Sequence, residues 1–305
     1  MKKIQLETIG NILETKGPLT GSELLEASGI EGLTLWGLCM SSADLFLRSV
    51  ARHYLRLDRK VPGFARLSPS IYREFLTYTI IGTRDQQDLI NEKASAITER
   101  IREISRAKLS LAKSVVSGLG AKLDTEFPLE EHLCVFIAGD IVFDMAHDVP
   151  RPERSTGKLV RGSDMDIVVI VDDVFPRELA KRIDEAIFAE KHRLLMTPHI
   201  REEIDYVVKD TRKVRVQLEF DTFKHMVACK IMHEGRLLYG SQSMFNQIRN
   251  WLREKGVTRK LEDLEHRAWT FRQEACRCLR ASWEQESRHE ILCLFYPSEE
   301  SEEFE

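Results

Sequence analysis

The stretch RGSDMDIVVIVDD, residues 161–173, decides how the middle of this chain folds. It places Asp164 and Asp166 two positions apart at the head of a run of aliphatic β-formers. Successive side chains of a strand point to opposite faces, so the two acids share a face with Val168 and Ile170 while Met165, Ile167 and Val169 take the other. The strand is apolar along its length and charged only at its mouth. Two bare carboxylates at a Cα spacing of about 6 to 7 Å repel each other. A divalent cation removes that penalty and takes oxygen ligands at about 2.1 Å, which aspartate offers on a short, stiff arm. A turn residue followed by a strand cap is the simpler account, but a cap needs one acid only.

Working outward, HLCVFIAGD (132–140) is an apolar run into a glycine turn, and PRELAKRIDEAIFAEKHR (176–193) is a helix begun by proline. EIDYVVKDTRKVRVQLEF (203–220) reads as two strands around an Asp-Thr-Arg turn. Two carboxylates hold a hard metal loosely, so a third is expected from a neighbouring strand. Glu219 in QLEF and Asp205 in EIDYV are the candidates.

GSDMDIVVI, with LEF at 218–220 downstream, resembles the active-site pattern of the nucleotidyltransferase superfamily that includes DNA polymerase β-like enzymes. The resemblance covers residues 132–241 and implies a mixed sheet in which an acid of an adjacent strand joins the aspartate pair. In small members the third acid precedes a helix and an ending much like KIMHEGRLLYGS (230–241), which selects Glu219 and leaves Asp205 as the alternative. The family pattern also implies an upstream glycine turn whose N–H groups hold a triphosphate. FIAGDIVFDMAHD supplies Gly139, with Asp140 where a small residue is expected; Gly162 and Ser163 complete the nucleotide-side set by turning the chain so that both acids face one ion. Arg151, Arg154, Lys158 and Arg161 on the connection read equally as phosphate contacts or as solvent charges.

The implied activity is transfer of a nucleoside monophosphate from a nucleoside triphosphate to a hydroxyl of RNA or protein. It would use Mg²⁺ or Mn²⁺ held by Asp164, Asp166 and the third acid, and release pyrophosphate. A nucleotide-sensing, nucleic-acid-binding regulator with an inactive domain of the same kind is the alternative. Asp140 favours the regulator and the acid trio favours the enzyme.

The fold class expected is α+β: a nucleotidyltransferase-like domain at 126–241, preceded by a winged-helix-like unit (1–82) and a long linking helix with its boundary loop (83–125), and followed by a helical region (242–305) with a loose tail. In the first unit, helices are expected at 5–17, 19–29 and 41–58, with Thr20 or Ser22 as a cap and glycine stops at Gly17 and Gly29. Arg48, Arg52 and Arg56 would line one face of the third helix, which reads as a solvated face or as an RNA contact; dimerisation is a further use of this unit. Trp251, Trp269 and Trp283 are the expected core anchors of the C-terminal region.

Composition narrows the rest. Of 305 residues, 43% are hydrophobic, enough for a core in each of two domains. Lys and Arg number 18 against 14 Asp and Glu through residue 125, then 27 against 35, a mild asymmetry that does not by itself imply nucleic acid. No apolar run approaches the roughly 20 residues of a membrane span, and a cytoplasmic location is expected. Six scattered cysteines and dispersed histidines give neither a disulfide framework nor a zinc set. A lysine-bearing phosphate loop and a dinucleotide fingerprint are both missing, which argues against ATPase and NAD-enzyme readings.

Overall fold

The computed structural model describes residues 2–123, 127–153, 155–284 and 288–297. The chain is α+β and divides into two compact units, Met1–Arg100 with Leu264–Glu305, and Ile101–Asp263.

The second unit is built on a four-stranded mixed sheet. Its strands are β1 (Leu133–Ala138), β2 (Met165–Val171), β3 (Ile204–Asp210) and β4 (Arg236–Gly240), in the spatial order β3-β2-β1-β4. Helix α1 (Gln87–Lys122) enters the unit, and α2 (Arg177–Met196) lies between β2 and β3 in sequence. A strand, a crossover helix and a second strand in one sheet give parallel pairing. That is what β2 and β3 adopt, with Asp205 opposite Asp166. β1 pairs antiparallel with β2 on one side and β4 on the other.

Alternation sorts the faces as the opening stretch predicts. Ile137, Met165, Ile167 and Val169 join Leu179, Ile183 and Ile187 of α2 and Val115 and Val116 of α1 in one buried cluster. Each such side chain contributes about 1.5–3 kcal/mol by burial. On the opposite face, α3 (Thr211–Gln217), α4 (Phe223–Glu234) and α5 (Gln242–Glu254) follow β3. Phe136 meets Phe245 of α5 there, with ring centroids 5.5 Å apart.

The hairpin expected at 203–220 does not form. Asp210 ends β3 and caps α3, its carboxylate accepting from Lys213 N at 2.8 Å, so VRVQ becomes helix and LEF the turn after it. The capping bond satisfies one of the orphan amides of the helix start.

The first unit opens with helix Lys2–Lys16, ended by Gly17, and helix Gly21–Ser28, whose Thr20 and Glu23 form a reciprocal cap and whose Gly29 closes it in the left-handed region. A third helix, Gly32–Ser41, is apolar almost all round and buried. Strand Thr79–Thr83 lies between Leu19–Thr20 and Leu45–Ser49, antiparallel to both, and Tyr54–Leu57 pairs with Ala65–Ser68 as a separate hairpin.

The helix expected at 41–58 is therefore two strands. Leu45 and Leu47 alternate toward the unit's core, and sheet pairing on both of those strands satisfies the backbone instead. Arg48 lies on one strand and reaches the Asn91 side chain, Arg52 lies in the connection, and Arg56 lies on the hairpin; the three share no helical face.

Of the C-terminal helical region, 242–263 groups with the second unit and Leu264–Glu305 with the first. Ala275, Leu279, Trp283 and Phe295 belong to the core of the N-terminal unit, and the Trp283 ring fills the space beside Gly37, where a Cβ would stand 2.2 Å from it. Of the three expected anchors, Trp283 is buried, Trp251 is half-buried under Arg215, and Trp269 is 42% exposed. The tail expected to be loose lies outside the described residues. All six cysteines are thiols, and no helix among the described residues is long and apolar enough to cross a membrane.

Candidate functional site

The turn before β2 is held from both sides. Gly162 has φ +55°, and a Cβ there would stand 1.9 Å from His147 O, so only glycine fits. Ser163 is buried; its N–H donates to His147 O at 3.1 Å, and its hydroxyl accepts from His147 N at 3.2 Å and donates to Asp140 Oδ2 at 2.8 Å. Gly162 and Ser163 thus aim the strand, and the serine hydroxyl is committed to protein partners.

Asp164 and Asp166 emerge from that turn, and the parallel register of β3 brings Asp205 beside Asp166. One carboxylate oxygen from each of the three aspartates lies within 4.8 Å of the others, and these form the one acid, histidine or cysteine group with metal-holding geometry among the described residues. Loss of surrounding water raises Asp164, as do the charges of Asp205 and Asp140, while Arg151 opposes them. Loss of water and the neighbouring Asp164 charge push Asp166 well above the ordinary carboxylate range, with Lys230 opposing. Hard oxygen donors that repel one another suit a Mg²⁺- or Mn²⁺-sized cation.

Glu219 is not part of this group. It stands on the turn after α3, more than half exposed, with its carboxylate on Lys255 Nζ at 2.9 Å. The third acid of the cluster is Asp205, which also takes Lys191 Nζ at 3.1 Å.

Two cations that the sequence left ambiguous or unnoticed flank the acids. Arg151, on the strand Pro150–Pro152, places Nη2 2.8 Å from Glu203 and 3.7 Å from Asp164, while its Nε donates to Gly162 O at 2.8 Å. Lys230 of α4 is paired with Glu234 at 2.9 Å, and Glu234 accepts Gly139 N at 3.2 Å. The Lys230–Glu234 spacing of four on a helix was the available signal for that pair. Lys158 reaches Met196 Sδ, Arg161 offers its carbonyl to Lys108, and Arg154 lies outside the described residues.

Gly139 has φ +74° at the end of β1, and a Cβ on it would stand 2.3 Å from Asp166 Oδ2. The glycine is what allows the turn Gly139–Phe143 to approach the acids. Asp140 turns its carboxylate to Ser163, yet its charge still bears on Asp164 and Asp166. No family model matches this chain, and no curated protein matches it in sequence.

Proposed function

We propose that this protein is a metal-dependent nucleotidyltransferase that moves a nucleoside monophosphate from a nucleoside triphosphate onto a hydroxyl of RNA or protein. The observation that carries the proposal is the convergence of Asp164, Asp166 and Asp205 from two parallel strands beside the glycine turn at Gly139. On this reading the sheet is nucleotidyltransferase-like. The N-terminal unit, with its order helix, strand, two helices and two sheet strands, is winged-helix-like.

Asp164, Asp166 and Asp205 would hold Mg²⁺ or Mn²⁺. Bound there, the ion would neutralise phosphate charge and lower the pKa of the attacking hydroxyl. The chain's own residues do the positioning. Arg151 fixes Asp164 against Glu203, Lys191 fixes Asp205, and the Gly139 turn gives the triphosphate an approach free of a side chain. The acceptor oxygen bonds to the α-phosphorus as the bond to the pyrophosphate oxygen breaks, and the hydroxyl proton passes to a carboxylate or water.

The enzyme reading is favoured over a nucleotide sensor because all three acids converge, at an electrostatic cost a sensor has no need to bear. The test is incubation with each α-labelled ribonucleoside triphosphate, Mg²⁺, and total cellular RNA and protein. Label moves to an acceptor with wild type and not with Asp166→Asn; transfer that persists in the variant overturns the proposal.

A further inference from the structure

A chamber lies wholly within the first unit, away from the carboxylates in sequence and chemistry. It encloses about 340 Å³, within the range of about 300–1,000 Å³ typical of small-molecule sites. Trp36, Leu47, Phe75 and Trp269 supply apolar and aromatic wall, and Ser49, His53, Glu74 and Arg272 converge on one side as the polar floor. Glu74 starts a turn of π-helix, Glu74–Tyr78, a backbone form that collects at functional sites.

The floor is a closed charge set. Glu74 accepts from Ser49 Oγ at 2.6 Å, from His53 Nε2 at 2.9 Å and from Arg272 Nη2, and Arg272 Nη1 donates to Pro69 O at 2.7 Å. Burial alone would raise the Glu74 carboxyl, but the His53 hydrogen bond and the Arg272 charge outweigh it and hold the group below its ordinary value. Glu74 and Arg272 therefore cancel in charge. His53 sets Nε2 against the carboxylate, and the tautomer that carries its proton there presents Nδ1 as an acceptor. Arg272 has five N–H donors, of which the bonds to Pro69 O and Glu74 take one each.

We infer that this chamber binds a neutral, planar heteroaromatic compound that carries a hydrogen-bond donor beside an acceptor. The aromatic walls supply stacking, with His53 already edge-on to Trp269 at 5.1 Å between ring centroids. The donor and acceptor of the ligand meet His53 Nδ1 and the remaining Arg272 N–H groups. Glu74 and Arg272 already pair with each other in the floor, so an ionised ligand would have to bring its charge into an apolar chamber against an ion pair that is already made, and that burial is costly.

The experiment is isothermal titration calorimetry on the full chain with an isosteric pair, indole-3-carboxamide and indole-3-carboxylate, at pH 7. The carboxamide binds at one site with a Kd below about 1 mM, and the carboxylate binds at least about tenfold more weakly. Trp269→Ala, at a half-exposed wall position, weakens the carboxamide about tenfold, while Asp166→Asn leaves it unchanged. The inference is overturned if the carboxylate binds as tightly as the carboxamide, if neither binds at about 1 mM, or if Trp269→Ala changes nothing. The proposed transferase activity is read separately, so either assignment can fail alone.

Discussion

Replacing Asp205 by asparagine should make the metal-free protein more stable and at the same time remove most of its response to Mg²⁺. Ligating oxygens within 4.8 Å of one another repel by about 3.5 kcal/mol per charged pair at an effective dielectric of about 20. Arg151, Lys230, Lys191 and solvent absorb most of that, and the lost Asp205–Lys191 pair offsets up to about 1 kcal/mol, which leaves a net gain of about 1–2 kcal/mol. In a thermal melt this raises the midpoint by about 2–4 °C per kcal/mol for a unit of this size. Mg²⁺ at about a hundred times its wild-type Kd stabilises wild type by about 2.7 kcal/mol; binding weakened about a hundredfold leaves about 0.4 kcal/mol. Glu219→Gln is the control. It removes an exposed pair with Lys255, changes stability by less than about 1 kcal/mol and keeps the Mg²⁺ shift. The reasoning is refuted if Asp205→Asn melts lower without metal and still shifts fully with Mg²⁺, or if Glu219→Gln is the variant that loses the shift.

Three further outcomes follow from particular contacts. Gly139→Ala puts a methyl 2.3 Å from Asp166 Oδ2 at a positive φ, and should weaken Mg²⁺ binding at least about tenfold by calorimetry, with a folding cost of about 1–2 kcal/mol. Burial pulls the Lys209 ammonium down from 10.5 to about 8, so between those values the unfolded chain binds the extra proton and stability rises with pH. Chemical denaturation of wild type relative to Lys209→Met should show a gain of about 3 kcal/mol from pH 8 to 10.5, and a flat difference would contradict the burial argument. Trp283→Ala empties the space against Gly37 and should cost about 3–5 kcal/mol in the unfolding of the first unit, which a denaturant titration followed by circular dichroism would report.

The sequence by itself determined the β2 strand, its two-acid mouth and its two faces, because side-chain alternation and like-charge repulsion are local. It also determined Gly17 and Gly29 as helix stops and narrowed the cap to Thr20 or Ser22, since capping depends on neighbouring residues; the structure uses Thr20. The order strand, helix, strand at 165–210 held the third acid too, for parallel pairing follows from the crossover and puts Asp205 on the rung of Asp166. Asp205 stood as the alternative because the ending KIMHEGRLLYGS and a hairpin reading of Asp210-Thr-Arg both favoured Glu219, and the capping bond from Lys213 N shows that turn to be a helix start.

Other features were decided by tertiary structure alone. The segment 41–58 has apolar positions that suit a helix or a strand, and sheet partners far away in sequence selected the strands. The closing of the N-terminal core by Trp283 and Phe295, and the gathering of His53, Glu74 and Arg272 around one chamber, join residues that no local pattern relates. Periodicity and capping act over a few residues, whereas packing and charge pairing act between whichever side chains the fold brings together.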